Sequence, residues 1–220
     1  MPTLDVICLA NSWKHGGRCV AGLRTDGGGW VRPVSVEPEG VLQAWHYTLT
    51  TGGEAALLDV LRMRLTQPRP DPHHPENWLM DYGLWSLTAR PLPPAAREIL
   101  RQSLAPGPDL LGDRQDRIAY ADLVKRPVLS SLALVCPEGL SWQVRQDGPT
   151  GKRRTRAVFS LAGARYDLPV TDPVRLQSLA SRALGSYPDE DAETLLTVSL
   201  GEPFGRDGYC YKLVAAVIAL

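Results

Sequence analysis

Residues 4–36 read LDVICLANSWKHGGRCVAGLRTDGGGWVRPVSV and indicate that the chain begins with β-strands. It contains three runs of strand-forming residues, LDVICLA, RCVAGLRT and GWVRPVSV, separated by short turns with glycine. Apolar runs of this length between turn residues are typical of strands that pair with their neighbours along the chain. The chain is therefore predicted to begin with a meander of short strands.

The next segments are a strand, a connector and a helix. LLDVLRMRLT at 57–66 alternates as a strand does, and one slip between Val60 and Met63 indicates a bulge or burial on both sides. Residues 68–94 carry so many prolines that we predict a long connector rather than a regular helix. PPAAREILRQSLA at 93–105 is the clearest predicted helix, with a proline in its first turn.

A second set of strands begins at residue 130. The predicted strands are SSLALVCPE, LSWQVRQ, RTRAVFSLAG and ARYDLPVTD. A predicted helix follows them, with Asp172 as its N-cap and Pro173 in its first position. ETLLTVSLGEPF and YCYKLVAAVIAL are two final strands around the turn GRDG. Tyr209 and Tyr211 share one face of the last strand, which its apolar tail indicates is a central core strand.

Each half of the chain thus offers several short strands and one helix, which suits the small five-stranded Greek-key barrel called the OB-fold. We predict a mainly β protein with a few helices, made of two OB-fold-like Greek-key barrels. The first barrel is predicted over residues 1–105 and the second over residues 126–220. Because the segment between them is short and partly apolar, we expect the two barrels to be packed together.

Several motifs also resemble a known family. Five motifs occur in order along nearly the whole chain: CLANSWKHGGRCVAG, GWVRPVS, HPENW, SLGEPF and CYKLVAAVI. Together they resemble the family of bacterial dual OB domain-containing proteins. The resemblance implies tandem barrels and a role in nucleic-acid binding, and it carries over no catalytic residue.

Composition bounds the classes of function. The 220 residues include 24 Lys and Arg against 24 Asp and Glu, so no global basic field attracts the protein to nucleic acid, and local patches must supply any such binding. The four cysteines lie far apart without a C-x-x-C pair, which predicts reduced thiols in a cytoplasmic protein and neither disulfides nor zinc. No apolar run approaches the roughly 20 residues of a membrane span, so no membrane partner is expected.

The turn between the first two predicted strands concentrates cations. Gly16 and Gly17 permit a close approach of the backbone to a ligand, and Lys14, His15 and Arg18 project around them. This set predicts a loop that binds an anion such as a phosphate. A plain strand connection with solvated charges explains the same residues equally well.

Trp30 and Arg32 stand two residues apart on a predicted strand and therefore share one face. An indole beside a guanidinium on a barrel surface predicts a platform on which unpaired bases stack. The alternative is that Trp30 lies in the core and Arg32 covers it.

DPHHPENW at 71–78 is the least ordinary stretch of the connector. His73 and His74 are adjacent and lack the spacing of a helical zinc motif, so no metal site is predicted. Glu76 and Asn77 can read the edge of an unstacked base, with Trp78 stacking on it. The segment can equally serve to tie the connector to the barrel through Trp78.

GPTGKRRTR is the only dense basic run of the sequence. Its four cations, predicted to lie on a hairpin-like turn, would contact backbone phosphates without reading sequence. A solvated loop explains them nearly as well. The four residues are Lys152, Arg153, Arg154 and Arg156.

We therefore expect a protein that binds single-stranded DNA or RNA, with no cofactor and with nucleic acid as its partner. One alternative is an enzyme, either a metal-dependent nuclease or a nucleotide hydrolase. It would use Lys14 with His74 and Glu76 as catalytic candidates, or Glu76 and Asp172 as ligands of a divalent metal. The other alternative is a module that binds a protein partner. The zero net charge favours the two alternatives slightly.

Overall fold

A computed structural model describes residues 2–90, 94–148, 150–191 and 193–220, apart from the side chain of residue 95. The chain divides into two compact units, residues 1–103 and residues 104–220. The segment between the two predicted barrels therefore belongs to the second unit. Leu110, for example, is fully buried in the core of that unit, and Tyr166 donates a hydrogen bond to the carbonyl of Pro108.

The first unit contains a closed five-stranded barrel with the strand order β1-β2-β3-β5-β4 and a final pairing of β4 with β1. The pairing of β3 with β5 is parallel and the others are antiparallel, and a sixth strand adds to β4. This is the Greek-key path of an OB-fold. The strands are β1 (Thr3–Lys14), β2 (Gly17–Arg24), β3 (Trp30–Val34), β4 (Val60–Pro68), β5 (Asn77–Met80) and β6 (Ser86–Ala89).

The barrel closes because β1 is long and bent. Its first half pairs with β4 and its second half with β2, with a shift in register between Cys8 and Ala10. A Cβ at Gly22 on β2 would lie 1.9 Å from the carbonyl oxygen of Ile7. Glycine is therefore required where the two strands approach each other most closely.

The predicted connector is wrong in part, because residues 68–94 contain both β5 and β6. The prolines fall at the two ends of this segment and leave a proline-free run at 76–90, which forms β5 and β6. Of these two strands, β5 inserts between β3 and β4. The slip predicted in β4 is confirmed, since Val60 and Leu61 are both buried. A 3₁₀ turn (Pro38–Gly40) and helix α1 (Ala44–Tyr47) lie between β3 and β4, and the predicted helix α2 spans Pro94–Gln102.

The second unit contains two four-stranded sheets, with the orders β11-β10-β9-β12 and β7-β14-β13-β8. The predicted N-cap is confirmed, because the Asp172 carboxylate accepts from the backbone N–H of Arg175 at 2.8 Å. The elements are β7 (Arg117–Ala119), α3 (Tyr120–Lys125), β8 (Leu132–Val135), β9 (Glu138–Gln146), β10 (Arg153–Leu161), β11 (Ala164–Pro169), α4 (Pro173–Ser178), β12 (Gly185–Pro188), β13 (Thr194–Pro203) and β14 (Tyr209–Ala219).

These strands repeat the path of the first barrel. Together β8 and β9 take the place of β1, because β8 pairs with β13 while β9 pairs with β10. They are separated by Cys136 and Pro137, and proline cannot donate to a strand ladder. A parallel bridge between Val170 and Val214 takes the place of the pairing of β3 with β5. The result is a half-barrel rather than the closed barrel that we expected for this half.

Each unit has its own apolar core. The first is built around Leu61, Met63 and Trp85, and the second around Trp142 and Phe159, all at most 2% exposed. The predicted fold class, mainly β with a few helices and two OB-like units, is confirmed. None of the described helices is both long and apolar enough to cross a bilayer.

Candidate functional site

OB-folds bind ligands on the face of strands 2 and 3 and on the loops that follow strands 1 and 4. In the first barrel these loops are residues 15–16, here called the first rim loop, and residues 69–76, the second rim loop. The two motifs that sequence analysis selected, NSWKHGG and DPHHPENW, therefore lie at the two rim loops.

The first rim loop is a two-residue hairpin turn. His15 and Gly16 both have positive φ angles, 46° and 83°, and Lys14 pairs directly with Gly17. This geometry matches the right-handed twist of the strands it joins. The turn therefore holds Lys14 and His15 at one end of the β1–β2 ladder.

Trp13 and Arg18 face each other across that ladder. The guanidinium carbon of Arg18 lies 4.0 Å from the centroid of the Trp13 ring, whose residue is 55% exposed. Arg18 also forms an ion pair with Glu54 at 2.8 Å, while its Nε and Nη1 are buried and have no hydrogen-bond partner among the described residues. Sequence analysis named Arg18 but missed Trp13, whose role depends on the strand register.

Glu39 contacts the side chains of both Lys14 and His15 at the first rim loop. Lys14 Nζ donates to the Glu39 carbonyl oxygen at 2.6 Å, and His15 Nε2 lies 2.7 Å from the Glu39 carboxylate. The side chains of His15 and Glu39 are 63% and 49% exposed. A carboxylate therefore occupies the position next to His15 that an anionic ligand would need.

Arg32 and Glu76 are placed differently from what the sequence suggested. They form an ion pair at 3.0 Å, with side chains only 3% and 4% exposed, and the Arg32 N–H donates to the Glu76 carbonyl oxygen at 3.1 Å. Trp30 is the half-exposed member of the predicted platform, and Arg32 is the buried one. The pair attaches the second rim loop to β3.

The histidines of the second rim loop are also internal. His73 and His74 are 5% and 4% exposed with ring centroids 4.1 Å apart, and His73 Nδ1 contacts the Asp71 carboxylate. Asn77 and Trp78 are half-buried on β5. The buried histidines therefore help to hold the second rim loop against the barrel.

Glu76, suggested for catalysis or metal binding, and Asp172, suggested as a metal ligand, both have structural partners. Glu76 pairs with Arg32, and both carboxylate oxygens of Asp172 accept backbone N–H groups, from Arg175 and Val217 at 2.8 Å each. Burial raises the pKa of the Cys8 thiol to about 12, so this thiol is protonated at neutral pH. These contacts indicate that Glu76 and Asp172 stabilise the two units, and the protonated Cys8 thiol is a poor nucleophile.

The basic run lies on the turn between β9 and β10 and at the start of β10. Arg154 lies 3.6 Å from Asp147, Arg156 Nε lies 2.5 Å from Asp167, and Arg153 donates to the Leu179 carbonyl oxygen at 3.1 Å. Lys152 is exposed. Carboxylates therefore compensate two of the four charges.

Three further exposed aromatic residues were missed or misjudged from the sequence. Trp45 and Tyr82 stack with an interplanar angle of 9° and a centroid distance of 5.9 Å, and they are 51% and 70% exposed. Tyr209, expected in a core strand, is 36% exposed. It lies at the start of β14, before the buried part of that strand.

The comparison with family models agrees with this geometry. The model described as the dual OB-containing domain matches residues 4–217, which is nearly the whole chain. A comparison with curated proteins finds no match. With one closed barrel and one half-barrel on the same strand path, and a family match over both units, the chain belongs to the family of dual OB-containing domain proteins.

Proposed function

We propose that the first barrel binds single-stranded nucleic acid at the end of its β1–β2 ladder. The observation that carries this proposal is the stacked pair of Trp13 and Arg18 beside the hairpin turn that holds Lys14 and His15. We refer to these four residues as the ladder site.

The chemistry of the ladder site suits an unpaired nucleotide. The half-exposed indole of Trp13 offers a planar surface, and stacking of a base on such a ring contributes roughly 1 to 3 kcal/mol. Arg18 orders the ring through the cation–π contact and has two donors without an acceptor among the described residues. Lys14 supplies a positive charge for a phosphate, and the exposed His15 ring adds a hydrogen-bonding group beside it.

Other residues support or extend this surface. We assign a positioning role to Arg32 and Glu76, since their buried pair fixes the second rim loop to β3. Trp30 and Asn77, half-buried on the adjacent strands β3 and β5, extend the proposed surface beyond the ladder site, whereas Trp78 packs against the apolar core and ties β5 to the barrel. In the second unit, Lys152 and its neighbouring arginines add phosphate contacts on the β9–β10 turn.

A protein partner is the second candidate, and the exposed stack of Trp45 and Tyr82 favours it. Aromatic residues of this exposure are enriched where protein surfaces meet. A binding role in either form suits the cytoplasm, where the four free cysteines would remain reduced.

The test is fluorescence anisotropy with labelled single-stranded DNA, single-stranded RNA and duplex DNA. We expect salt-dependent binding of a single strand, weakened about fivefold or more by Trp13→Ala and less by Lys14→Gln. Lys125→Gln is the matched control for Lys14→Gln, because Lys125 is 78% exposed on α3 and its ion pair with Asp122 is 4.0 Å long. Gel analysis with Mg²⁺ and with chelator shows whether the strand is cleaved, as a nuclease would require.

Absence of binding to every oligonucleotide would refute the proposal. Equal binding by the Trp13→Ala variant and the wild type would show that the ladder site is not where the strand binds.

A further inference from the structure

The hairpin between β13 and β14 carries a second group of aromatic and cationic side chains. Phe204 and Tyr209 are 52% and 36% exposed, and the Arg117 side chain is 47% exposed. The guanidinium carbon of Arg117 lies 5.0 Å from the Tyr209 ring centroid and 5.6 Å from that of Tyr211. We call Arg117, Phe204, Tyr209 and Tyr211 the hairpin cluster.

A hydrogen-bond network holds the hairpin cluster in place. Arg117 Nη1 donates to the Tyr211 hydroxyl at 3.2 Å, and that hydroxyl donates to Asp207 at 2.6 Å. The Phe204 N–H donates to the Tyr209 carbonyl oxygen at 2.9 Å, which fixes the base of the hairpin turn. Ordered rings lose little conformational freedom when a ligand stacks on them.

The position of the cluster on the strand path matters as much as its chemistry. In the second unit, β13 and β14 take the places of β4 and β5, so the turn at 204–208 corresponds to the second rim loop of the first barrel. In the first barrel the rings of that loop, His73 and His74, are buried, whereas here the loop carries the exposed rings of Phe204 and Tyr209. The two units therefore present their exposed rings and guanidinium groups at different loops.

We propose that the hairpin cluster is a second stacking site for unpaired bases of the same nucleic acid, with Phe204 and Tyr209 contacting bases and Arg117 and Arg206 contacting phosphates. This inference rests on the proposed function of the ladder site. The pairing of a ring with a guanidinium recurs at both sites, with Trp13 and Arg18 in one and Tyr209 and Arg117 in the other.

The local sequence favours nucleic acid over a protein as the occupant. The exposed residues 204–209 read FGRDGY and contain no aliphatic side chain. Protein docking patches bury a continuous apolar area, whereas base stacking needs separate planar rings and nearby cations. The rings of Phe204 and Tyr209, with Arg117 and Arg206 as the cations, match the requirement for base stacking.

The first experiment measures the affinity of a labelled 30-nucleotide single strand by anisotropy. We expect the double variant Phe204→Ala/Tyr209→Ala to bind at least about fivefold more weakly than the wild type, and Arg117→Gln to bind about threefold more weakly. Val174→Ala is the control, because Val174 is 73% exposed on α4 of the same unit. Thermal unfolding of each variant verifies that it is folded.

The second experiment locates the contact directly. The wild-type protein is photo-crosslinked to the same strand carrying 5-iodouracil, and tryptic peptides are identified by mass spectrometry. We expect crosslinks in the peptide 207–212, which holds Tyr209 and Tyr211, or in the peptide 183–206, which ends just after Phe204.

The outcomes separate the two proposals. If the wild type binds and Trp13→Ala weakens it, but the double variant binds as tightly as the wild type and neither peptide is crosslinked, the inference about the hairpin cluster is wrong and the ladder site stands. The inference about the hairpin cluster is also wrong if the double variant loses a protein partner while its affinity for the oligonucleotide is unchanged. If the wild type binds no oligonucleotide, both proposals fail.

Discussion

Glu39 competes with the phosphate that we propose for the ladder site, and its removal should strengthen binding. Glu39→Gln deletes the carboxylate that lies 2.7 Å from His15 Nε2 but keeps the carbonyl oxygen that accepts from Lys14. Exposed ion pairs of this kind contribute roughly 0.2 to 1 kcal/mol, which is the energy that an incoming phosphate must offset. Removing the competing charge should therefore tighten binding by about 1.4-fold to fivefold.

Anisotropy titrations at low and high salt measure this effect. The gain should shrink as salt rises, because screening weakens both the competing carboxylate and the phosphate contact. Glu98→Gln is the matched control, since it changes the net charge equally at a 56% exposed position on α2. Binding by Glu39→Gln that is unchanged or weaker, or an equal gain in the control, would refute a competition at the ladder site.

Three further predictions concern the barrel that carries the ladder site. Gly22→Ala should destabilise the protein by about 3 kcal/mol or more in chemical denaturation, because its Cβ would lie 1.9 Å from the Ile7 carbonyl oxygen; a loss below about 1 kcal/mol would contradict this. Glu76→Gln should cost about 3 to 5 kcal/mol, since it removes the carboxylate that compensates buried Arg32, whereas Arg32→Met combined with Glu76→Leu should cost much less. Burial lowers the pKa of His46 below 6.5, so unfolding takes up a proton and the free energy of unfolding should fall as pH drops below 6.5; His46→Gln should flatten this dependence.

Strong periodic segments made much of the fold predictable. The opening meander, the strand with a slip at Val60 and the helix at Pro94–Gln102 all follow from apolar spacing and turn residues. The strands β5 and β12 have only four residues each, too few for a periodic pattern to appear. Their pairing is decided by distant strands, which local spacing cannot show.

The sequence pattern also could not show that the second unit forms a half-barrel instead of a closed barrel. The runs around Cys136 and Pro137 read as two separate strands, and only the pairing of β8 with β13 and of β9 with β10 shows that they share the role of β1. The proline that divides them explains why this half opens.

The candidate site was predictable for residues next to the first turn and not for those paired over long distances. Lys14, His15 and Arg18 surround a hairpin that glycines make evident in the sequence. The ion pair of Arg32 with Glu76 joins residues that are far apart in sequence, so the sequence left both as ligand candidates. Their burial follows from the parallel pairing of β3 with β5.

Binding of a single strand at the ladder site is tested by one titration of a labelled single-stranded oligonucleotide with the wild type, with Trp13→Ala and with Lys125→Gln at the same salt concentration. We expect saturable binding by the wild type and by Lys125→Gln, and at least about fivefold weaker binding by Trp13→Ala. Equal affinities for all three proteins, or no binding by the wild type, would show that the ladder site does not bind a single strand.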